Sequence, residues 1–217
     1  MAAEPSGRGR TLVLVRHGRT AWNLEGRAQG HTDVGLDATG RREAEKMADR
    51  VASIAPALLV SSDLARARET AAFVEKATGL TAREDARLRE FDLGERTGLT
   101  AAEYLARRGA GPADTADVEG WVDPGSRQQV AGAETPQQVA ARVVPAFRDA
   151  LSHLEAEESA VLVGHGAALR VGVVAFLGWP LECAMDLSTL PNGSSAVLAE
   201  RPQGGFRLRS YGVRRPG

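Results

Sequence analysis

Three short stretches of this chain carry residue types suited to chemistry on a phosphate group. The first is Arg16-His17-Gly18-Arg19-Thr20, with Asn23 six residues after His17. The second is Ser61-Ser62-Asp63, with Arg66 three residues on, and the third is Gly164-His165-Gly166. Two guanidinium groups can hold phosphate oxygens in charge-assisted, bidentate contacts. The first turn of a helix adds backbone N–H groups to the same anion. A neutral histidine aimed at phosphorus is a competent nucleophile, and neighbouring arginine charges favour that neutral form. Such a pocket works best when preorganised for the charge of the transition state. It also needs an acid to protonate the departing alkoxide. Glu90, within Arg87-Leu88-Arg89-Glu90-Phe91-Asp92-Leu93-Gly94, is the best candidate.

Each of the three stretches closes a β-like run: Thr11–Val15, Ala57–Val60 and Ala160–Val163. These runs are almost continuous in Leu, Val and Ala, as expected of strands buried on both faces of a mostly parallel sheet. A helical pattern follows each one. Ala44, Met47, Ala48 and Val51 recur at helical spacing after the first; Asp63 to Thr78 follows the second and Gly166 to Leu177 the third. A further helix opens at Thr135-Pro136-Gln137-Gln138, an N-cap with proline in the first turn and a capping-box Gln. Its apolar face runs Val139, Val143, Phe147, Ala150 and Leu154. Ser194–Leu198 and Phe206–Tyr211 read as two strands joined around Gly204-Gly205. Alternating strands and helices predict a three-layer, doubly wound α/β fold. In such sheets ligands bind outside the carboxyl ends of the strands, where the three stretches fall.

The expected organisation is a flexible tail at 1–10, one domain over 11–213 and a short tail at 214–217. Within the domain, residues 94–132 form an irregular, lid-like insertion on the substrate side. It holds a short capped helix from Thr100 and a cluster of acids, Asp114, Asp117, Glu119 and Asp123.

Composition narrows the functional classes. The chain has 217 residues, 43% hydrophobic and 25% charged, the balance of an ordinary soluble globular protein. The net charge of −1 gives no field to concentrate a polyanion, so nucleic acid is not an expected partner. Of the 27 basic residues only Lys46 and Lys76 are lysines; coding bias explains most of that skew, and planar guanidinium forks suit phosphate at particular positions. Cys183 is the only cysteine, which excludes an internal disulfide and fits a reducing cytoplasm. A packed thiol is its expected state. The longest apolar stretch, Val171 to Leu181, is broken by Gly178 and Pro180 and cannot span a bilayer. Trp22, Trp121 and Trp179 each suit a pocket or an interface, with core packing the expected use, and His31 and His153 are expected in surface or structural roles.

Taken together, the motifs resemble those of the histidine phosphatase superfamily, the phosphoglycerate mutase-like family, in its phosphatase branch. The resemblance runs from Thr11 to Leu198. It opens with LVRHGRTAWNLEGRAQGHTDVGLDATGRREA and continues through SSDLARARETA, LREFDLGERTG, GAET and VGHGAALRV, in the family's usual order. By that resemblance His17 becomes phosphohistidine, and Arg16, Arg66 and His165 complete the phosphate pocket with Asn23. Glu90 protonates the leaving group and then activates water. Thr20, Gln29 and Gly30 match positions lining the substrate side, and Gly166 offers a backbone N–H. The family implies no metal and no cofactor. Two departures stand out: Gly164 where many members carry Ser or Thr, and Glu95-Arg96-Thr97-Gly98 where the usual text is Trp-Glu-Gly.

Three functions follow from this reading. The first is a metal-independent phosphomonoester hydrolase acting on a small phosphorylated metabolite. The second is a cofactor-dependent phosphoglycerate mutase, for which the acidic 114–123 stretch is a poor lining. The third is a non-catalytic module binding phosphate or phosphoprotein, which should have lost one of the five core residues present here. The expected setting is the cytoplasm, with no membrane partner and a homodimer left open.

Overall fold

The computed structural model describes residues 9–109 and 130–214. Six strands form one sheet: β1 (Thr11–Arg16), β2 (Leu58–Ser61), β3 (Arg83–Glu84), β4 (Ser159–Gly164), β5 (Ser195–Glu200) and β6 (Phe206–Val213). Their order is β3-β2-β4-β1-β5-β6. The first four are parallel neighbours, β5 is antiparallel to β1, and β6 is antiparallel to β5. The sheet is thus mixed, with its parallel part where the apolar runs predicted it. The two-residue edge strand β3 carries no apolar run to announce it, and both its residues are exposed.

Alternation along the strands builds two cores. Leu12, Leu14, Leu58, Val60, Ala160 and Leu162 face one layer of helices, α5 (Pro136–Ser152) and α6 (Gly166–Phe176). Val13, Val15, Leu59, Val161 and Val163 face the other, α2 (Ala38–Ala52) and α3 (Ala65–Thr78). This is why the strands read as continuous apolar runs: neither face meets water. The predicted face of α5, from Val139 to Leu154, is buried throughout. Its start is capped as the sequence indicates, Thr135 Oγ1 accepting from Gln138 N at 3.2 Å while Gln138 Oε1 accepts from Thr135 N at 2.8 Å.

Among the described residues two short α-helices lie outside these layers, α1 (Ala21–Glu25) and α4 (Ala101–Arg107), the latter being the predicted helix capped by Thr100. The acidic cluster Asp114, Asp117, Glu119 and Asp123, and Trp121 with it, lie outside the described residues. Two tryptophans depart from the expected core role. Trp179 is 42% exposed beyond the end of α6, and Trp22 is half-buried beside a cavity. Among the described residues no helix is long and apolar enough to cross a membrane.

Candidate active site

Register delivers the predicted residues to one edge of the sheet. Arg16 lies opposite Gly164, and Ser61 opposite Val163, so β1, β2 and β4 end level with one another. The loops that follow carry His17, Ser62 and His165. Close packing is required where the first loop meets α2: a Cβ on Gly18 would stand 2.3 Å from Gly40 O, and one on Gly40 would stand 1.9 Å from Arg19 O.

A cavity of about 200 Å³ opens at this edge, and Arg16, His17, Asn23, Gln29, Gly30, Arg66 and Glu90 all line it. His17 is buried, and its Nδ1 lies 2.7 Å from Gly18 O. A carbonyl can only accept, so Nδ1 carries the proton and Nε2 keeps its lone pair. Burial, then the Arg66 charge, then the Arg16 charge hold the His17 imidazole well below its ordinary value; the Gly18 hydrogen bond opposes them only in part. The ring is neutral at neutral pH.

Arg66 is fully buried, yet no carboxylate among the described residues forms an ion pair with it. Nε donates to His165 Nδ1 at 3.1 Å, Nη1 to Thr32 O at 2.9 Å and Nη2 to Gly30 O at 2.8 Å. That uses three of its five N–H groups and leaves one on each terminal nitrogen for an anion. Burial pushes its pKa down to about 10, so it stays charged at neutral pH. Arg16 donates through Nη1 to Leu190 O, while its buried Nε has no partner among the described residues. Gly166 makes room for this guanidinium, since a Cβ there would lie 3.2 Å from Arg16 Nε and Cζ.

Glu90 is held by the start of α6. Oε1 accepts from Ala168 N at 2.9 Å and Phe91 N at 3.0 Å, and Oε2 from Ala167 N at 3.2 Å. Its main chain is fixed as firmly. Glu90 O accepts from Arg142 Nη2 and His31 Nε2, both at 2.8 Å, and Arg142 is itself paired with Glu134 at 2.7 Å.

Three predicted residues stand behind the cavity wall. Thr20 is fully buried and caps α1, its hydroxyl accepting from Asn23 N at 3.1 Å. His165 is fully buried, 5.2 Å from the His17 ring between centroids. Both its nitrogens are engaged, Nδ1 by Arg66 and Nε2 by Ser62 Oγ at 2.9 Å. Gly166 begins α6, but the amides that reach Glu90 are those of Ala167 and Ala168.

Trp22 lines the cavity too, one of the two uses besides core packing that its sequence allowed, and so do Arg27 and Arg96, for which the sequence suggested no role. Trp22 and Arg27 sit inside the opening motif, and Arg96 inside the departure from Trp-Glu-Gly; a cation replacing an aromatic there was the available signal. Arg142 and Glu134 gave none, because their roles appear only when α5 packs beside the Glu90 segment. Among the described residues no group of three or more His, Cys, Asp or Glu is placed to hold a metal ion.

The fold and this edge of the sheet define an enzyme for phosphoryl groups, and comparison with known proteins agrees. The model of the histidine phosphatase superfamily (branch 1) matches residues 12–214, and the chain belongs to that family. The chain is 34% identical to a glucosyl-3-phosphoglycerate phosphatase of Mycobacterium tuberculosis, over 88% of this chain and 86% of that one. It is 35% identical to a probable phosphoglycerate mutase, GpmB, of Salmonella paratyphi C, over 78% and 75%. The structure of the mycobacterial glucosyl-3-phosphoglycerate phosphatase with VO3 superposes with a TM-score of 0.84 at 32% identity, over 94% of this chain and 99% of that one.

Proposed function

We propose that the chain hydrolyses phosphomonoesters without a metal, in two displacements at His17. In the first, the Nε2 lone pair forms a bond to phosphorus while the P–O bond to the alcohol breaks. Protonated Glu90 gives its proton to the departing alkoxide, leaving phosphohistidine, the free alcohol and a Glu90 carboxylate. In the second, that carboxylate takes a proton from water, the oxygen attacks phosphorus and the P–N bond breaks. Inorganic phosphate leaves and both groups return to their starting states. Arg16 and Arg66 carry the charge of the phosphoryl oxygens through both steps. Asn23, Gln29 and Gly30 lie on the substrate side of the same cavity. Thr20, His165 and Gly166 act from behind it, by shaping the α1 loop, aligning Arg66 and making room for Arg16.

The observation that carries this reading is the Nδ1 contact with Gly18 O at 2.7 Å, which leaves His17 Nε2 as the basic nitrogen beside two arginines. The working unit is one domain over 11–213, and the substrates are small cytoplasmic phosphate esters rather than nucleic acid or membrane lipid. Sedimentation decides whether it works as a homodimer.

³¹P NMR with 3-phosphoglycerate and EDTA, with and without 2,3-bisphosphoglycerate, tests the function, followed by glucosyl-3-phosphoglycerate and an aryl phosphate. Inorganic phosphate in the presence of EDTA is the expected product. Growth of 2-phosphoglycerate only when the bisphosphate is added would make the protein a mutase. No phosphate from any of these substrates would leave hydrolysis without support.

A further inference from the structure

The peptide joining His17 to Gly18 is held from both sides. Its carbonyl, His17 O, accepts from Asn192 Nδ2 at 3.1 Å and from Gly193 N at 3.2 Å. Its N–H, on Gly18, donates to Thr70 Oγ1 at 3.1 Å. The next carbonyl, Gly18 O, is the one that receives the His17 ring proton. Glycine is the residue with the widest backbone freedom. The plane of this peptide, and through it the position of Gly18 O under the ring, therefore depends on the groups that bond to it.

Asn192 does more than meet that carbonyl. The same Nδ2 lies 3.3 Å from Asn23 Oδ1, which also accepts from Thr20 N at 3.0 Å. His17 O can only accept, and the Thr20 N–H fixes Oδ1 as the Asn23 atom on this side. Both facts orient the Asn192 amide with its NH₂ toward the pair. Asparagine supplies the two hydrogens needed; aspartate supplies none and serine one.

The turn carrying Asn192 is itself pinned. Leu190 O accepts from Arg16, Gly193 O accepts from Arg50 Nη2 at 2.9 Å, and Ser194 Oγ donates to Pro191 O at 2.7 Å. Gly193 has φ +65°, a conformation that favours glycine, and a Cβ there would stand 3.0 Å from Glu43 Cβ. A turn at the start of the antiparallel part of the sheet thus grips the nucleophile's loop at the end of the parallel part.

We propose that Asn192 is a positioning residue for phosphoryl transfer: its amide ties the main chain of His17 to the side chain of Asn23. The imidazole and the substrate-side loop thereby keep one relative geometry through both displacements. This rests on the reading of His17 as the nucleophile.

The test compares Asn192→Ala and the isosteric Asn192→Asp by kcat and KM on an aryl phosphate, by Tm, and by ¹⁵N ring shifts of labelled histidine without substrate. With the two hydrogens gone, kcat falls about 10- to 100-fold while KM stays within about threefold, the range for a small misplacement of reacting atoms. Asn192→Asp falls further than Asn192→Ala, because a carboxylate would face two acceptor oxygens. The His17 ring shifts from a single Nδ1–H tautomer toward a mixture. A variant within about twofold of the parent kcat, Asn192→Asp matching or exceeding Asn192→Ala, or an unchanged His17 tautomer would each overturn the proposal. The tautomer is read without turnover, so this failure is separate from failure of the nucleophile assignment, which shows as phosphate release by His17→Ala.

Discussion

β1 and β4 lie side by side, run the same way, and each hands a histidine followed by glycine to the same edge of the sheet. In sequence the two strand ends look interchangeable. In the structure they are not. His17 spends one nitrogen on Gly18 O and lines the cavity, whereas His165 spends one on Arg66 and the other on Ser62. Burial comes first among the causes that hold both rings neutral, and Arg66 second. Neutrality alone therefore does not make a nucleophile. The partner of the second nitrogen decides: a histidine whose remaining nitrogen has none can attack, and one with both taken can only orient its neighbours.

Removing each ring in turn gives the largest effect that this difference predicts. His17→Ala should lower turnover on the order of 10⁴-fold or more, as loss of a covalent nucleophile does, with a stability change of about 1 kcal/mol or less. His165→Ala should lower kcat only about 10²-fold, through misplacement of Arg66. It should also cost about 1–3 kcal/mol in stability, because a buried guanidinium N–H loses its acceptor. Phosphate release and urea melts measure both. Equal activity losses with equal stabilities would erase the distinction between the two strand ends.

Glu90 sharpens the comparison from the same cavity, since in the proposed mechanism its proton is needed only when the leaving alcohol is a poor one. Glu90→Gln should slow alkyl phosphates about 10²- to 10⁴-fold, the usual worth of general acid catalysis, and aryl phosphates far less. Similar losses for both substrates would remove Glu90 from the acid role. Three backbone N–H groups point at its carboxylate. The substitution turns an NH₂ toward at least one of them, so a drop in Tm accompanies the kinetic change.

Much of this was legible in the sequence because it rests on local pattern. The parallel strands showed as apolar runs buried on both faces, and the helix starts showed through Thr100 and Thr135 with their capping partners. The predicted site residues come to one strand edge because that edge is set by three short runs. What stayed hidden depends on long-range packing. Nothing in the text around Asn192 or Arg142 says that one will meet His17 O and the other Glu90 O, 175 and 52 residues away. Thr20 shows the same limit: its place in the right loop is local text, but its complete burial and its cap on α1 appear only in the fold. Trp22 and Trp179 lie outside the core, each lining a cavity.

The smallest effect is a pH dependence of stability that both histidines share. In the unfolded chain each titrates near its ordinary value of about 6.5; in the fold burial and the two arginines hold both well below it. As pH drops through about 6.5 the unfolded state gains protons that the native state refuses. Stability is then lost by up to about 1.4 kcal/mol per pH unit for each ring, and about 2.7 for both. Above that pH the two rings contribute no slope. Carboxylates such as Asp63, held low by hydrogen bonds from Arg89, lose their contribution only further down, as pH falls below about 4. Urea melts at pH 7, 6, 5.5 and 5 isolate the histidine window, and His17→Ala should remove about half of its slope. A flat stability between pH 7 and 5 in the parent protein would mean that both rings accept a proton in place, and a His17 that protonates within the fold could not attack phosphorus at those pH values.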